Sequence, residues 1–178
     1  ATQGTSANRP KIYDGTTGVV LENGKPAVEF DGSNDTIEST SNVVSNSAMS
    51  LFVPYKFDDT TSRPQDLIMS STASGFKYGM SGAGRDQYAK YSPLETTTWS
   101  NTTTNQVLDS LFSVASGGAI LYTDGVLQTA TGTAGIVGTN TATLKIGSRD
   151  LTSAYFNGKI HEVIIYASDQ SSNRSNIE

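Results

Sequence analysis

Short apolar or alternating runs, each closed by a turn signal, recur every ~8–12 residues along this chain, and no amphipathic helix of useful length stands between them. A parallel sheet needs long crossover connections, usually helical, and these are missing. The pattern therefore predicts an all-β fold: an antiparallel two-sheet β-sandwich, or jelly roll, of roughly a dozen strands. Two turns fix local register. Asn23-Gly24 separates residues 18–22 from 25–30, and Asp124-Gly125 separates 118–122 from 126–129. Asn-Gly accepts the positive φ of both central positions of a type I′ turn. In the first hairpin Glu22 then faces Lys25 and Leu21 faces Pro26. Pro26 lacks an N–H, so its side of the hairpin is an edge or starts late.

The most apolar and β-branched stretch is the last, residues 155–166. Alternation puts Ile160, Glu162, Ile164 and Tyr166 on one face and His161, Val163 and Ile165 on the other, so the strand is expected to be central and covered on both sides. Residues 49–57 alternate well, with Met49, Leu51, Val53, Tyr55 and Phe57 as a core face and Pro54 on the opposite parity marking an edge or a bulge. In residues 106–115, Leu108, Phe112 and Val114 share a phase. Shorter strands are expected at 66–70, 75–81, 87–91 and 143–148, and 92–105 reads as an exposed loop or an edge strand. Residues 1–9 read as an N-terminal arm or linker and 10–178 as a single domain. The tail from Ser168 has helix-start character, so a short C-terminal helix is expected.

The 178 residues suit one domain. Abundant Ser, Thr, Asn and Gly fits many tight turns, while 8 Tyr, 6 Phe and the regular apolar runs argue against disorder. The net charge of -5 is the wrong sign for nucleic acid or an anionic membrane surface. No Cys is present, so disulfides and thiolate metal sites are excluded. Apolar runs of around five residues are too short to span a membrane as a helix. The chain opens on Ala1 without a signal-peptide pattern and reads as a processed or excised piece of a larger protein.

Three motifs in order resemble one family. Residues 24–35, Gly-Lys-Pro-Ala-Val-Glu-Phe-Asp-Gly-Ser-Asn-Asp, are similar to the opening of laminin-G-like, concanavalin A-like lectin/glucanase domains. Residues 120–127 resemble their Tyr-x-Asp-Gly hairpin, and residues 156–166 their closing strand. The resemblance implies a jelly roll of two curved antiparallel sheets. The first and last motifs look like versions found in tailed-phage structural and tail-fibre proteins, in which a short helix commonly follows the closing strand. The chain ends where that helix is starting, so truncation there is an expectation.

What the resemblance implies for function is a non-catalytic structural or adhesion module, on a phage virion or a cell surface, with host glycans or surface receptors and other subunits of a larger assembly as partners. The alternative is a secreted carbohydrate-binding module of a larger glycan-active enzyme. Either places the chain on a virion or outside the cell. Glycosidases of this fold carry acids at i, i+2 and i+4 on one strand face. The nearest match is Glu29-Phe30-Asp31, and Ser33 stands where a third acid would be needed. Glu162, between Ile160 and Ile164, is expected to be partly buried and paired with Lys145 or Arg149. His161 is the only His and lacks catalytic or metal-binding companions nearby in sequence. No cofactor is implied beyond calcium, which some relatives bind. Asp31, Asn34 and Asp35, with Ser33 beside them, are the candidate ligands, although Asp/Asn/Gly clusters are also ordinary turn chemistry. Sugars are usually held on aromatic faces. Trp99, Tyr88 and Tyr91 are the candidate ligand-binding residues, while Tyr78 shares parity with Phe76 and Met80 and reads as core. The Asn-x-Ser/Thr triplets at Asn34, Asn101 and Asn173 are glycan acceptors only in a eukaryotic secretory setting.

Overall fold

A computed structural model describes residues 2–41, 48–58, 64–70, 76–80, 86–91, 95–100, 107–114, 118–129, 143–149 and 153–178; of 86–91, 95–100, 113–114 and 118 it describes the backbone only. Two antiparallel sheets face each other. The larger contains β3 (Val28–Asp31), β5 (Ala48–Phe57), β10 (Val107–Val114), β11 (Gly118–Thr123), β12 (Val126–Leu127), β14 (Asn157–Ile160) and β15 (Ile164–Tyr166). Its order is β12-β11-β10-β5-β14-β3, with β15 also on β5. The smaller runs β4-β13-β6-β7-β8-β9, formed by Ile37–Glu38, Lys145–Ile146, Gln65–Met69, Phe76–Met80, Asp86–Tyr91 and Glu95–Ser100. A hairpin of β1 (Leu21–Glu22) and β2 (Lys25–Pro26) stands apart from both. The jelly-roll expectation holds, including the short helix α1 (Arg174–Ile177).

Both tight hairpins form as the sequence predicts. Leu21 pairs with Pro26 and Glu22 with Lys25, and Asn23 and Gly24 take φ of 48° and 74°. Asp124 and Gly125 do the same at 49° and 76°. Residues 2–9 are tied to the sandwich by backbone hydrogen bonds: Thr2 and Glu38 bond reciprocally, and the Thr36 N–H donates to the Asn8 carbonyl.

The central strand is β5, not the closing stretch. It pairs with β10 along one edge and with β14 and then β15 along the other. Its odd-numbered residues from Met49 to Phe57 enter the core between the sheets, as their alternation predicts. Its outer face is covered as well. Phe52 makes edge-to-face contacts with Phe112 and Tyr166 at 5.5 and 6.1 Å, Ser50 Oγ donates to the Ser168 carbonyl, and Ser110 Oγ donates to Glu178. The Arg174 guanidinium lies 4.3 Å from the centre of the Tyr122 ring. The C-terminal segment thus seals an apolar patch on the back of the larger sheet.

Two expectations of face are reversed. In β10 the core-facing residues are Val107, Asp109 and Leu111, whereas Phe112 lies under the C-terminal segment. A buried carboxylate at Asp109 hides the inward parity from a hydrophobicity pattern. In the closing stretch, Ile160 pairs with Tyr55 but Ile164 pairs with Phe52, so four steps on one strand match three on the other. That is a β-bulge at residues 161–163, opposite Pro54, which has no N–H to give the ladder. The His161 N–H still donates to the Pro54 carbonyl at 3.0 Å. The bulge breaks the alternation, and Glu162 is exposed rather than buried.

Gly158, the glycine of the closing motif, sits between Phe57 of β5 and Phe30 of β3 at φ 154°. A Cβ there would lie 2.0 Å from the Lys56 carbonyl oxygen and 2.8 Å from Phe156 Cζ. Replacing it with Ala forces β14 away from β5. Gly158→Ala is expected to lower the urea midpoint by at least ~2 kcal/mol of stability at unchanged m-value, and an unshifted midpoint would show that the strands are not packed this closely.

Candidate functional site

The candidate ligand-binding aromatics lie on the two outermost strands of the smaller sheet. β8 carries Tyr88 and Tyr91, and β9, the last strand of this sheet among the described residues, carries Trp99. Of the segment 92–105, read as an exposed loop or an edge strand, residues 95–100 form the outermost strand among the described residues, and 92–94 and 101–105 lie outside them. Trp99 pairs with Gln87, which pairs with Met80; Tyr91 pairs with Phe76; Tyr88 pairs with Gly79. Trp99 and Tyr91 thus share register rows with the core-facing residues of β7, and Tyr88 lies on the alternate rows. The structure gathers the three onto one two-stranded edge but not into one row set. Their side chains, and Asn101, lie outside the described residues.

The Asp31–Asp35 turn carries β3 across to β4. Asp31 Oδ1 accepts from the N–H groups of Ser33 and Asn34 at 2.8 and 3.2 Å, an Asx-type turn. Asp35 Oδ2 accepts from the Asp31 N–H at 2.9 Å. Asp35 is 4% exposed, and burial, followed by the like charge of Asp31, pushes its carboxyl above the ordinary carboxylate value against that hydrogen bond. Asn34 Oδ1 is buried and accepts no hydrogen bond among the described residues. Two carboxylates and an unpartnered amide oxygen within five residues fit a hard cation. Among the described residues, however, no three His, Cys, Asp or Glu side chains form a metal-sized group.

Other acids have structural work. Asp66, fully buried, is held by Arg149 through Nε at 2.9 Å and Nη2 at 3.4 Å. Lys145 pairs with Glu38 at 3.4 Å. The expected partners of Glu162 are therefore engaged elsewhere. Lys56 and Lys159 stand directly opposite each other in register, and Glu22 and Asp58 lie within 3.6 Å of them to offset the repulsion.

Sequence reasoning misses two features. One is a polar cluster inside the sandwich. Asp109 is fully buried; Tyr55 and Tyr78 both donate their hydroxyls to its Oδ2, and Thr123 Oγ1 donates to Oδ1 at 2.7 Å. Tyr78 is core, as expected. The other is a cavity of about 230 Å³ between β3 and β14 on one sheet and β4 and β13 on the other. It is lined by apolar side chains including Phe30, Ile37, Ile146 and Ile160, with His161 and Glu162 as its polar members. His161 Nδ1 lies 2.8 Å from the Pro26 carbonyl, while Nε2 is buried without a partner among the described residues. No hydrophobicity pattern could signal either, because both depend on residues far apart in sequence.

Burial raises the Asp109 carboxyl from 3.8 to about 6, outweighing the three hydroxyl donors that favour its charge. A raised carboxyl pKa means that the folded state holds the proton more tightly. The resulting stability is fully present below about pH 4 and is lost as pH rises to about 6, a change of about 3 kcal/mol. Relative to Asp109→Asn, which does not titrate, the wild type is expected to lose stability between pH 4 and 7 in urea unfolding. Parallel pH profiles for the two proteins would remove Asp109 as the cause.

The chain matches the family described as concanavalin A-like lectin/glucanases superfamily, a laminin-G domain family, over residues 31–173. No curated protein sequence matches it. Among solved structures it resembles domain 4 of AbnA, an extracellular GH43 arabinanase of Geobacillus stearothermophilus solved with arabinotriose, at TM-score 0.61 and 20% identity over 90% of this chain and 76% of that one. It also resembles the binding domain of botulinum neurotoxin DC in complex with SialylT, at TM-score 0.67 and 11% identity over 96% of this chain and 44% of that one. A third is NanB sialidase of Streptococcus pneumoniae, at TM-score 0.60 and 14% identity over 85% of this chain and 27% of that one. The chain thus spans less than half the length of the last two. The family match covers most of the sequence and agrees with the two-sheet architecture: this chain belongs to the laminin-G-like branch of the concanavalin A-like lectin/glucanase superfamily.

Proposed function

We propose that the chain is a non-catalytic glycan-binding module working outside the cell or on a virion surface. The observation that carries this reading is family membership, combined with structural roles for three of the acids. Asp31 caps a turn, Asp66 is held by Arg149, and Asp109 is locked by three hydroxyls. The matched structures support a sugar as ligand: the arabinanase domain was solved with arabinotriose, and a neurotoxin binding domain with SialylT. No helix among the described residues is long and apolar enough to cross a membrane.

The β8–β9 edge, with Trp99, Tyr88 and Tyr91, is the proposed glycan surface. Aromatic faces offer apolar area to the C–H faces of a sugar ring, and an edge leaves that area accessible. The Asp31–Asp35 turn is the proposed calcium site, with Asp31, Asn34 and Asp35 supplying oxygens. Adhesion on a phage particle, among other subunits of an assembly, is one setting for such a module. A secreted carbohydrate-binding module on a glycan-active enzyme is the second, and it is favoured by the matched arabinanase and sialidase, where similar domains form parts of larger proteins.

A glycan array run with calcium and again with a chelator tests the reading. Binding to a defined glycan class is expected, with Trp99→Ala weakening it at least tenfold in a protein that still unfolds cooperatively. No binding in either condition, with the module also presented multivalently, would overturn the glycan reading. Calcium is expected to raise the melting temperature and Asp35→Asn to abolish that rise; a melting temperature indifferent to calcium would remove the metal site.

A further inference from the structure

We propose that the cavity at the His161 bulge binds a small, mainly apolar molecule carrying one hydroxyl group, an alcohol or phenol in chemical class. The site is separate from the β8–β9 edge and does not rest on the glycan reading. Its volume of about 230 Å³ exceeds the about 150 Å³ that suffices elsewhere for a benzene-sized guest. Its walls come from both sheets: Val28, Phe30 and Ile160 from the larger, Ile37 and Ile146 from the smaller, with Val163 beside the bulge.

The polar chemistry is limited and directional. The Pro26 carbonyl can only accept, so the 2.8 Å contact requires His161 Nδ1 to carry a proton. In the neutral ring Nε2 is then a lone-pair acceptor. It is buried and accepts nothing among the described residues, an unusual state for a polar atom. A ligand hydroxyl is the group that satisfies it. Glu162, the other polar lining residue, is exposed and stands at the solvent side. A saccharide fits this chemistry poorly, because most of its hydroxyls would meet apolar side chains. The placement follows from the fold: Pro54 withholds an N–H, the closing strand bulges opposite it, and the bulge brings His161 to the cavity wall.

His161 is the only histidine, so the imidazole nitrogens of a ¹⁵N-labelled sample give one unambiguous pair of signals. Titration with phenol is expected to shift the Nε2 resonance saturably. Toluene, which lacks the hydroxyl, should bind at least tenfold more weakly by the methyl shifts of the lining isoleucines. His161→Phe should erase that preference, and Val163→Phe, filling the cavity beside the bulge, should abolish saturable binding. An Nε2 signal that phenol does not move saturably would overturn the proposal, as would equal affinity for phenol and toluene in the wild type. Phenol binding unchanged in Val163→Phe would place the ligand elsewhere and overturn it too.

Discussion

Everything in this molecule depends on covering β5 from both sides. Ten consecutive residues form one strand, with large apolar side chains on either face. The inner face is answered by the opposing sheet, where Leu67, Ile68, Phe76, Tyr78 and Met80 meet it across the core. The outer face cannot be answered that way, because the second sheet is already used. The chain's own end supplies the cover: Tyr166, Arg174 and Glu178 close over Phe52, Phe112, Tyr122 and Ser110. Apolar area removed from water on both faces makes this strand the anchor of the larger sheet.

A sandwich built this way tolerates polar groups inside only where they are fully engaged. Asp109 shows the cost and the compensation together. Desolvation works against its charge, and two tyrosine hydroxyls and a threonine supply the hydrogen bonds that make burial tolerable. The donors come from β5, β7 and β11, so the cluster ties both sheets to β10. Asp66 and Arg149 do similar work at the end of β6. These acids hold the scaffold, while the cavity between β3 and β4 is lined mainly by apolar side chains.

The fold supports a division of labour. The β8–β9 end of the smaller sheet shares no ladder with β5, which lies in the larger sheet, and among the described strands β9 pairs with β8 alone. The His161 cavity lies at the opposite end of the smaller sheet, next to β4 and β13. Two chemically different ligands could therefore be held without sharing a residue.

The sequence by itself determined the fold class, both tight hairpins with the register of the first, and the core face of β5. These are local: Asn-Gly and Asp-Gly set turn geometry, and period-two alternation is read over a few neighbours. The three closing-strand and hairpin motifs carried the family for the same reason, since their glycines and alternating residues answer to nearby backbone. The tertiary structure alone decided which strand is central, which face of β10 is inward and where the closing strand slips. Each of those turned on a distant partner: Asp109 inverts the apparent phase of β10 because tyrosines from two other strands satisfy it, and Pro54 shifts residues more than a hundred positions later by withholding one N–H. Whether a side chain is inside or outside depends on what covers it, and in an antiparallel sandwich the cover comes from remote sequence.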